Sequence, residues 1–133
     1  MLLEEVAAFL EAQGLGTQGT NLFAGGPQVD SPNDGIFLIH APGLPGIYTM
    51  GPSGSAPAIE RPRLQVWTTW SDQENGRAKA EAVHAALRNV YEQTLSGVRY
   101  LSIDADGEVA DLGKDANGRW QFSANYSVRK KPS

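Results

Sequence analysis

The sequence predicts a single domain, residues 1–133, in which helices pack against a β-sheet. Its length is enough for one hydrophobic core and too short for two of ordinary size, and 41% of the residues are hydrophobic. Apolar residues near the N-terminus recur three and four positions apart, which is the spacing of one helix face. Residues 120–128 alternate between apolar and polar side chains, as in a strand with one buried face.

The first helix is followed by short apolar runs. Its apolar stripe consists of Leu2, Leu3, Val6, Phe9 and Leu10. The glycines within 14–16 end this helix, and an apolar pair follows at 22–23. The segment 36–39 is apolar at every position, whereas a strand with one wet face alternates. We therefore expect another element to cover the second side of this strand.

A segment rich in glycine and proline occupies the middle of the chain. Seven of the eight prolines lie within 27–62, and residues 41–62 show neither helix nor strand periodicity. An extended loop of this length is either functional or disordered. Its apolar residues are too many for a solvated linker: Leu44, Ile47, Tyr48, Met50 and Ile59. We predict that the loop orders against a partner, with Tyr48 as a candidate contact.

The next strand, RLQVWTTW, has two different faces. Leu64, Val66, Thr68 and Trp70 point one way and are predicted to join the core. Trp67 points the other way, among polar side chains. A large aromatic residue on a polar face is typical of a surface that a partner covers, so Trp67 is a candidate interface residue.

The second helix is predicted from about Asp72 to about Glu92. SDQE at 71–74 has the capping-box pattern, in which Ser and Glu side chains satisfy two backbone amides at a helix start. The alanines of this helix allow close packing on a sheet. The residues expected to face inward are Ala82, Val83, Ala86, Leu87, Val90 and Tyr91.

The last strand is predicted to pair with the segment around 109–113. Asn117 and Gly118 tolerate the positive φ angles of a tight hairpin turn. One face of the strand collects all of its apolar residues: Trp120, Phe122, Ala124, Tyr126 and Val128. An RNA-binding sheet needs its stacking aromatics on the face away from the helices, whereas these rings are needed by the core. We therefore interpret them as core residues and not as base-stacking residues.

The two halves of the chain differ in charge. The net charge is −4, and no Lys or Arg precedes Arg61. An acidic first half is a poor partner for nucleic-acid phosphates. Arg63 follows closely, and the chain ends with Arg129, Lys130 and Lys131. This basic end is either a solvated terminus or a contact with an acidic neighbour, such as the first half of another copy.

No catalytic, cofactor-binding or metal site is predicted. The chain has no cysteine, and His40 and His84 have no metal-ligand spacing, so both are interpreted as structural. The acidic segments 104–108 and 115–118 are interpreted as turns, because the register of an EF-hand fails. No group of titratable residues forms a recognisable catalytic set, so we predict that the protein is not an enzyme.

No membrane or secretory segment is predicted either. No apolar stretch approaches the length of a membrane span. Glu4 and Glu5 occupy positions where a secretory signal carries basic residues, so the N-terminus is expected to belong to the fold of a cytosolic protein.

Six segments occur in a recognisable order: MLLEEVAAFLEAQGLGT, NLFAGG, ERPRLQV, RAKAEAVHAAL, LSGVRYLSI and LGKDANGRWQFSANYSV. Each is weak alone, but their order and spacing over about residues 1–129 resemble bacteriophage minor capsid (minor tail) proteins of the tail-terminator type. The resemblance implies an α+β fold with two helices packed on one face of a largely antiparallel β-sheet, with a long Gly/Pro-rich loop.

The resemblance also implies a function in the virion tail or neck, after assembly in the host cytoplasm. Members of such a family form a ring, commonly of six copies, that caps the tail tube and receives the head connector. The implied partners are other copies of the chain, the tail tube protein and a head completion or connector protein. DNA passes through the ring without specific binding, and the family supplies no catalytic residue and no cofactor.

Two alternatives remain open at this point. One is a head–tail connector or minor capsid adaptor that binds DNA through Arg61, Arg63, Arg129, Lys130 and Lys131. The other is an enzyme with a site in the loop at 41–62, against which the scarcity of histidine and the lack of cysteine argue. Under the ring hypothesis, the candidate oligomer or partner contacts are Tyr48, Arg61, Arg63, Trp67, Arg129, Lys130 and Lys131.

Overall fold

The computed structural model of the protein describes residues 2–25, 34–47, 59–114 and 118–131. Two helices and seven strands lie within these residues, in agreement with the predicted mixture of helices and sheet. In chain order they are α1 (Leu2–Ala12), β1 (Leu22–Ala24), β2 (Gly35–Ile47), β3 (Ile59–Trp70), α2 (Gln73–Arg88), β4 (Tyr91–Leu95), β5 (Val98–Ala105), β6 (Ala110–Lys114) and β7 (Trp120–Lys130).

The described strands form one sheet in the order β1-β2-β3-β7-β5-β4, with β6 also paired to β7. β1 and β2 run parallel, and the other described pairs are antiparallel. The predicted pairing of the last strand is confirmed, because β6 pairs with β7 from Ala110 opposite Ser123 to Lys114 opposite Trp120. Gly118, just before β7, has the predicted positive φ, at +78°.

The segment predicted as a loop over 41–62 is partly strand. β2 continues to Ile47, which pairs with Ile59, and Leu44 pairs with Arg61. The pairing register shifts on either side of Leu44. Such bulges let a strand pair accommodate proline, which has no amide proton to donate. Residues 48–58, including Tyr48, lie outside the described part of the chain.

The two-residue alternation along β3 and β7 divides the sheet into two faces. On what we call the core face, Val66 lies opposite Ala124, and Thr68 lies opposite Phe122. Buried side chains of this face form one cluster with side chains of both helices, including Val6, Leu10, Leu64, Val66, Val83, Leu87, Ala124 and Tyr126. The inward orientation predicted for the even-numbered residues of the last strand is therefore confirmed for these positions.

The start of α2 differs by one residue from the prediction. Asp72, and not Ser71, is the N-cap, and its Oδ2 accepts a hydrogen bond of 3.0 Å from the Asn75 amide. Gly76 lies in the first turn, where an added Cβ would come within 2.6 Å of Trp70 Cβ. The missing side chain therefore allows the close approach of helix and sheet.

The end of α2 also differs from the prediction. The helix stops at Arg88 instead of about Glu92, with Asn89 as its C-cap. Tyr91 begins β4 and is 72% exposed, so its predicted inward position is wrong. Ala82, also predicted to face inward, is exposed.

A buried charged cluster joins the end of β7 to α1. Lys130 is 3% exposed, and its Nζ lies 3.4 Å from Glu5 Oε1 and 3.6 Å from Glu60 Oε1. The hydroxyl of Tyr100 donates a 2.6 Å hydrogen bond to Glu5 Oε1. Burial acts to raise the pKa of Glu5, but the hydrogen bond from Tyr100 and the charge of Lys130 hold the pKa below its ordinary value. Lys130 is thus an interior residue, which corrects its predicted place on an exposed basic end, either solvated or in contact with an acidic neighbour.

We expect Lys130→Ala to lower the free energy of unfolding by about 3 kcal/mol, because it removes one partner of a buried ion pair. Urea unfolding measures the change. Lys131→Ala is the matched control, since Lys131 is exposed and its replacement should cost less than about 0.5 kcal/mol. Equal stability of the two variants would show that the buried pair contributes nothing.

Candidate functional site

The second face of the sheet, opposite the core face, is the candidate functional site. It carries the odd-numbered residues of β3 and β7, which pair as Gln65 with Asn125 and Trp67 with Ser123. Four of the predicted contact residues lie on it: Arg61, Arg63, Trp67 and Arg129. The strand register, and not a loop, therefore places them.

Three aromatic residues occupy neighbouring strands on this face. Phe23 lies beside Phe37, and Phe37 lies opposite Trp67. The rings of Phe23 and Phe37 stack with centroids 5.3 Å apart, and Phe37 is only 2% exposed. The side chain of Phe23 in β1 thus covers Phe37 on the second side of the strand at 36–39. Trp67 accordingly has an aromatic neighbour on one side and Ser123 on the other, instead of the purely polar surroundings predicted.

The indole N–H of Trp67 is a hydrogen-bond donor without an acceptor among the described residues. The residue is half-buried, and its Nε1 is buried without an acceptor among the described residues. A buried donor without an acceptor is unfavourable, because it has lost its hydrogen bond to water. An acceptor supplied by another molecule, with a small movement of the ring, would therefore add stability here.

Three arginines surround a groove at the other end of this face. Arg61, Arg63 and Arg129 line a volume of about 390 Å³ together with Pro62, Asp104, Ser127 and Val128. The pairs Glu60–Lys130 and Arg63–Ser127 place Arg61 across from Arg129. We call this feature the arginine groove. Guanidinium groups bind carboxylates and phosphates through paired hydrogen bonds, so the groove is suited to an anionic partner.

Arg63 of the groove is paired within the subunit. Arg63 Nη2 lies 2.8 Å from Asp106 Oδ2, and Ser127 Oγ donates a 2.8 Å hydrogen bond to Asp106 Oδ1. The hydrogen bond from Ser127 lowers the pKa of Asp106 most, burial opposes this, and the hydrogen bond and charge of Arg63 lower the pKa further. Arg63 is therefore held in place as one wall of the groove.

Tyr91 is a surface residue that the sequence analysis missed. It pairs with Ser102, and Ser102 pairs with Arg129, so the three residues form a row across the second face beside the groove. Tyr91 is the most exposed of the large hydrophobic residues in the described part of the chain. Asn89 was the available signal, because asparagine commonly ends a helix and would have placed Tyr91 beyond α2.

The remaining predicted contacts are dispersed. Lys130 lies in the interior, and Tyr48 lies outside the described residues. Lys131 is exposed, and its amide donates a 2.8 Å hydrogen bond to the carbonyl of Arg99. Only Arg61, Arg63 and Arg129 are therefore brought together in one groove.

The buried histidine belongs to the core. His84 is 1% exposed, and its Nδ1 lies 2.7 Å from the hydroxyl of Tyr126, whose pKa is raised by burial. No group of three His, Asp or Glu side chains that could hold a metal ion occurs within the ranges that the structure describes. Neither of the helices described there is long and apolar enough to cross a membrane.

Comparisons with known proteins identify one family. The family model described as "Bacteriophage tail terminator protein" matches residues 9–132. Among solved structures, the chain is similar to one titled "Virion of native gene transfer agent (GTA) particle", with 17% sequence identity and a TM-score of 0.49, covering 96% of this chain and 84% of that one. No curated protein sequence matches the chain.

We expect Ser127→Ala and Arg63→Gln each to raise the pKa of Asp106 towards its ordinary value, because the hydrogen bond from Ser127 is the largest single influence and Arg63 adds a hydrogen bond and a charge. An NMR titration of the side-chain carboxyl carbon measures both. Since the pKa is lowered in the folded protein, this contact stabilises the fold above the unfolded-state pKa, and the contribution disappears as the pH falls through the folded-state value. An unchanged pKa in Ser127→Ala would contradict this assignment.

Proposed function

Because the chain belongs to the bacteriophage tail terminator family, we propose that it forms a ring that caps the tail tube of a long-tailed phage and joins it to the head connector. The match over residues 9–132 carries this proposal, since it spans nearly the whole chain. The protein is a structural protein of the phage tail and a component of the virion. Its function is then performed by its surfaces and not by catalysis.

The second face offers a surface suited to the ring. Trp67, Tyr91 and Arg129 all lie on it, and tryptophan, tyrosine and arginine are the residue types that most often dominate protein interfaces. In a closed ring of identical copies, each copy contributes two different surfaces, one to each neighbour. We propose six copies, with the second face as one of these surfaces.

The remaining partners follow from the position of such a ring. One side of it would contact the tail tube protein, and the other a head completion or connector protein, after assembly in the host cytoplasm. The segment 48–58, which contains Tyr48 and Met50 and no charged residue, is proposed as a further contact with one of these neighbours. DNA would pass through the ring without specific binding, because a net charge of −4 does not attract phosphates.

A DNA-contacting adaptor is the second candidate, and the arginine groove is the observation in its favour. The structure weakens this candidate, because Lys130 is buried and Arg63 is paired with Asp106. Asp104 also lines the groove, where it would repel a phosphate. The basic residues named for DNA binding therefore do not form one continuous positive surface.

The ring hypothesis predicts at most weak, non-specific binding of a short DNA duplex, with a dissociation constant no tighter than roughly 10⁻⁵ M at physiological salt. Fluorescence anisotropy over a series of salt concentrations measures it. Tight binding that weakens steeply with salt, and is lost in Arg61→Gln/Arg129→Gln, would favour the adaptor instead.

Trp67→Arg is expected to leave the protein folded and to impair ring formation on tail tubes, because Trp67 lies on the second face and not in the core. Co-sedimentation with tubes of the tail tube protein and negative-stain microscopy measure assembly, and circular dichroism checks the fold. Val66→Arg is the matched control, since the adjacent residue is 3% exposed on the core face and a charge there should unfold the domain. If Trp67→Arg also unfolds the protein, Trp67 is a core residue and this interface is wrong.

A further inference from the structure

We propose that the arginine groove and Tyr91 of one copy receive helix α1 of the next copy, with the carboxylates of Glu4 and Glu11 facing Arg61 and Arg129. This proposal rests on the proposed ring and specifies the two surfaces through which neighbouring copies would meet. The occupant of the groove is a second copy of the same chain, because the two surfaces have opposite charges and a cleft beside α1 can hold the tyrosine ring.

The groove side of the contact is cationic and carries an exposed ring. Its three arginines outnumber Asp104 and Asp106, and Asp106 is already paired with Arg63. Arg129 is exposed on the second face and pairs with Ser102 of β5. Tyr91 pairs with Ser102 from the other side and is 72% exposed. An exposed tyrosine beside arginine combines a large apolar contact area with a charge, as at the centre of many interfaces.

The helix side of the contact is anionic. Glu4, Ala8 and Glu11 lie at positions i, i+4 and i+7 and therefore share one face of α1, with the two carboxylates about 10 Å apart along the axis. Glu4 and Glu11 are exposed, whereas Val6 and Leu10 on the opposite side of the helix are buried. The carboxylate of Glu11 accepts hydrogen bonds from the amide and the side chain of Gln18, which are neutral and leave its negative charge in place. Residues 1–60, which include α1, contain no Lys or Arg.

The same side also offers a space for the tyrosine ring. Between α1 and β4 lies a cleft of about 350 Å³ whose lining includes Ala8, Phe9, Ala12 and Leu95. The cleft borders the face that carries Glu4 and Glu11. Tyr91 of a neighbouring copy would bury its ring against these apolar side chains while its hydroxyl stays in water.

The two surfaces cannot meet within one copy. The side chains of α1 join the core on the core face, whereas Arg129, Ser102 and Tyr91 lie on the second face. The contact is therefore heterologous, with one surface meeting a different surface on the next copy. Repetition of such a contact closes into a ring when the rotation between copies allows it.

Introduced cysteines test this contact directly, because the chain has none of its own. Protein with Ala8→Cys is mixed with protein carrying Ser102→Cys, and a short bis-maleimide linker is added. We expect a covalent heterodimer, detected by mass spectrometry, even if the contact between free copies is weak. Ala85→Cys mixed with Ser102→Cys is the control, since Ala85 is exposed on α2 and lines neither the arginine groove nor the cleft beside α1.

Charge exchange tests the pairing. Adding Arg129→Glu to the Ser102→Cys protein should lower the yield of heterodimer about tenfold, because carboxylates then face each other. Adding Glu4→Lys/Glu11→Lys to the Ala8→Cys protein should restore it. Thermal unfolding checks that each variant is folded. The cross-link between Ala8→Cys and Ser102→Cys tests the contact independently of the charge variants.

The outcomes separate this contact from the ring itself. A yield no higher than the control, while the wild-type protein forms rings on tail tubes, would overturn the contact and leave the ring standing. Absence of rings on tubes would overturn the proposed function. If Arg129→Glu leaves the yield unchanged but abolishes binding of a DNA duplex, the groove holds nucleic acid and the contact is wrong.

Discussion

The alternation of side chains along β3 and β7 is the constraint on which the rest of this structure depends. The two strands pair through the middle of the sheet, so each of their residues is assigned to one face, and a slip by one residue would exchange the faces. Val66 and Phe122 thereby reach the core, while Trp67 and Arg63 are held on the other side. One strand pair therefore builds both the hydrophobic core and the candidate interface, and its register fixes which residues belong to each.

The same alternation separates two neighbouring cations at the end of β7. Lys130 points into the core face, where Glu5 and Glu60 surround its ammonium group, whereas Arg129 points into the arginine groove. The buried pair anchors α1 against the strand that also carries the groove. The helix and the groove thus lie on opposite faces of the sheet, so they are two different surfaces of one copy.

The chain belongs to the tail terminator family, and its proposed contacts lie on the second face of the sheet. Its second face presents an indole whose donor lacks an acceptor among the described residues, an exposed phenol, and arginines beside carboxylates. None of these arrangements couples a nucleophile to a base. Burial against a partner, as in the proposed ring contact, would complete their hydrogen bonds and apolar contacts.

The sequence by itself determined what depends on local periodicity: the stripe of α1, the two faces of β3 and β7, the hairpin before β7, and the membership of a family. It also singled out Trp67 and three arginines, because an alternating pattern shows which residues oppose the core. It misjudged Lys130, Tyr91 and the prolines of β2. Only the tertiary structure decided these. Lys130 is held in the interior by an ion pair with Glu5, and Tyr91 belongs to a strand because β4 pairs with β5. The prolines of β2 are accommodated by bulges in its pairing with β3. Each of these outcomes is set by groups distant in sequence, whose charges and hydrogen bonds a local pattern does not contain.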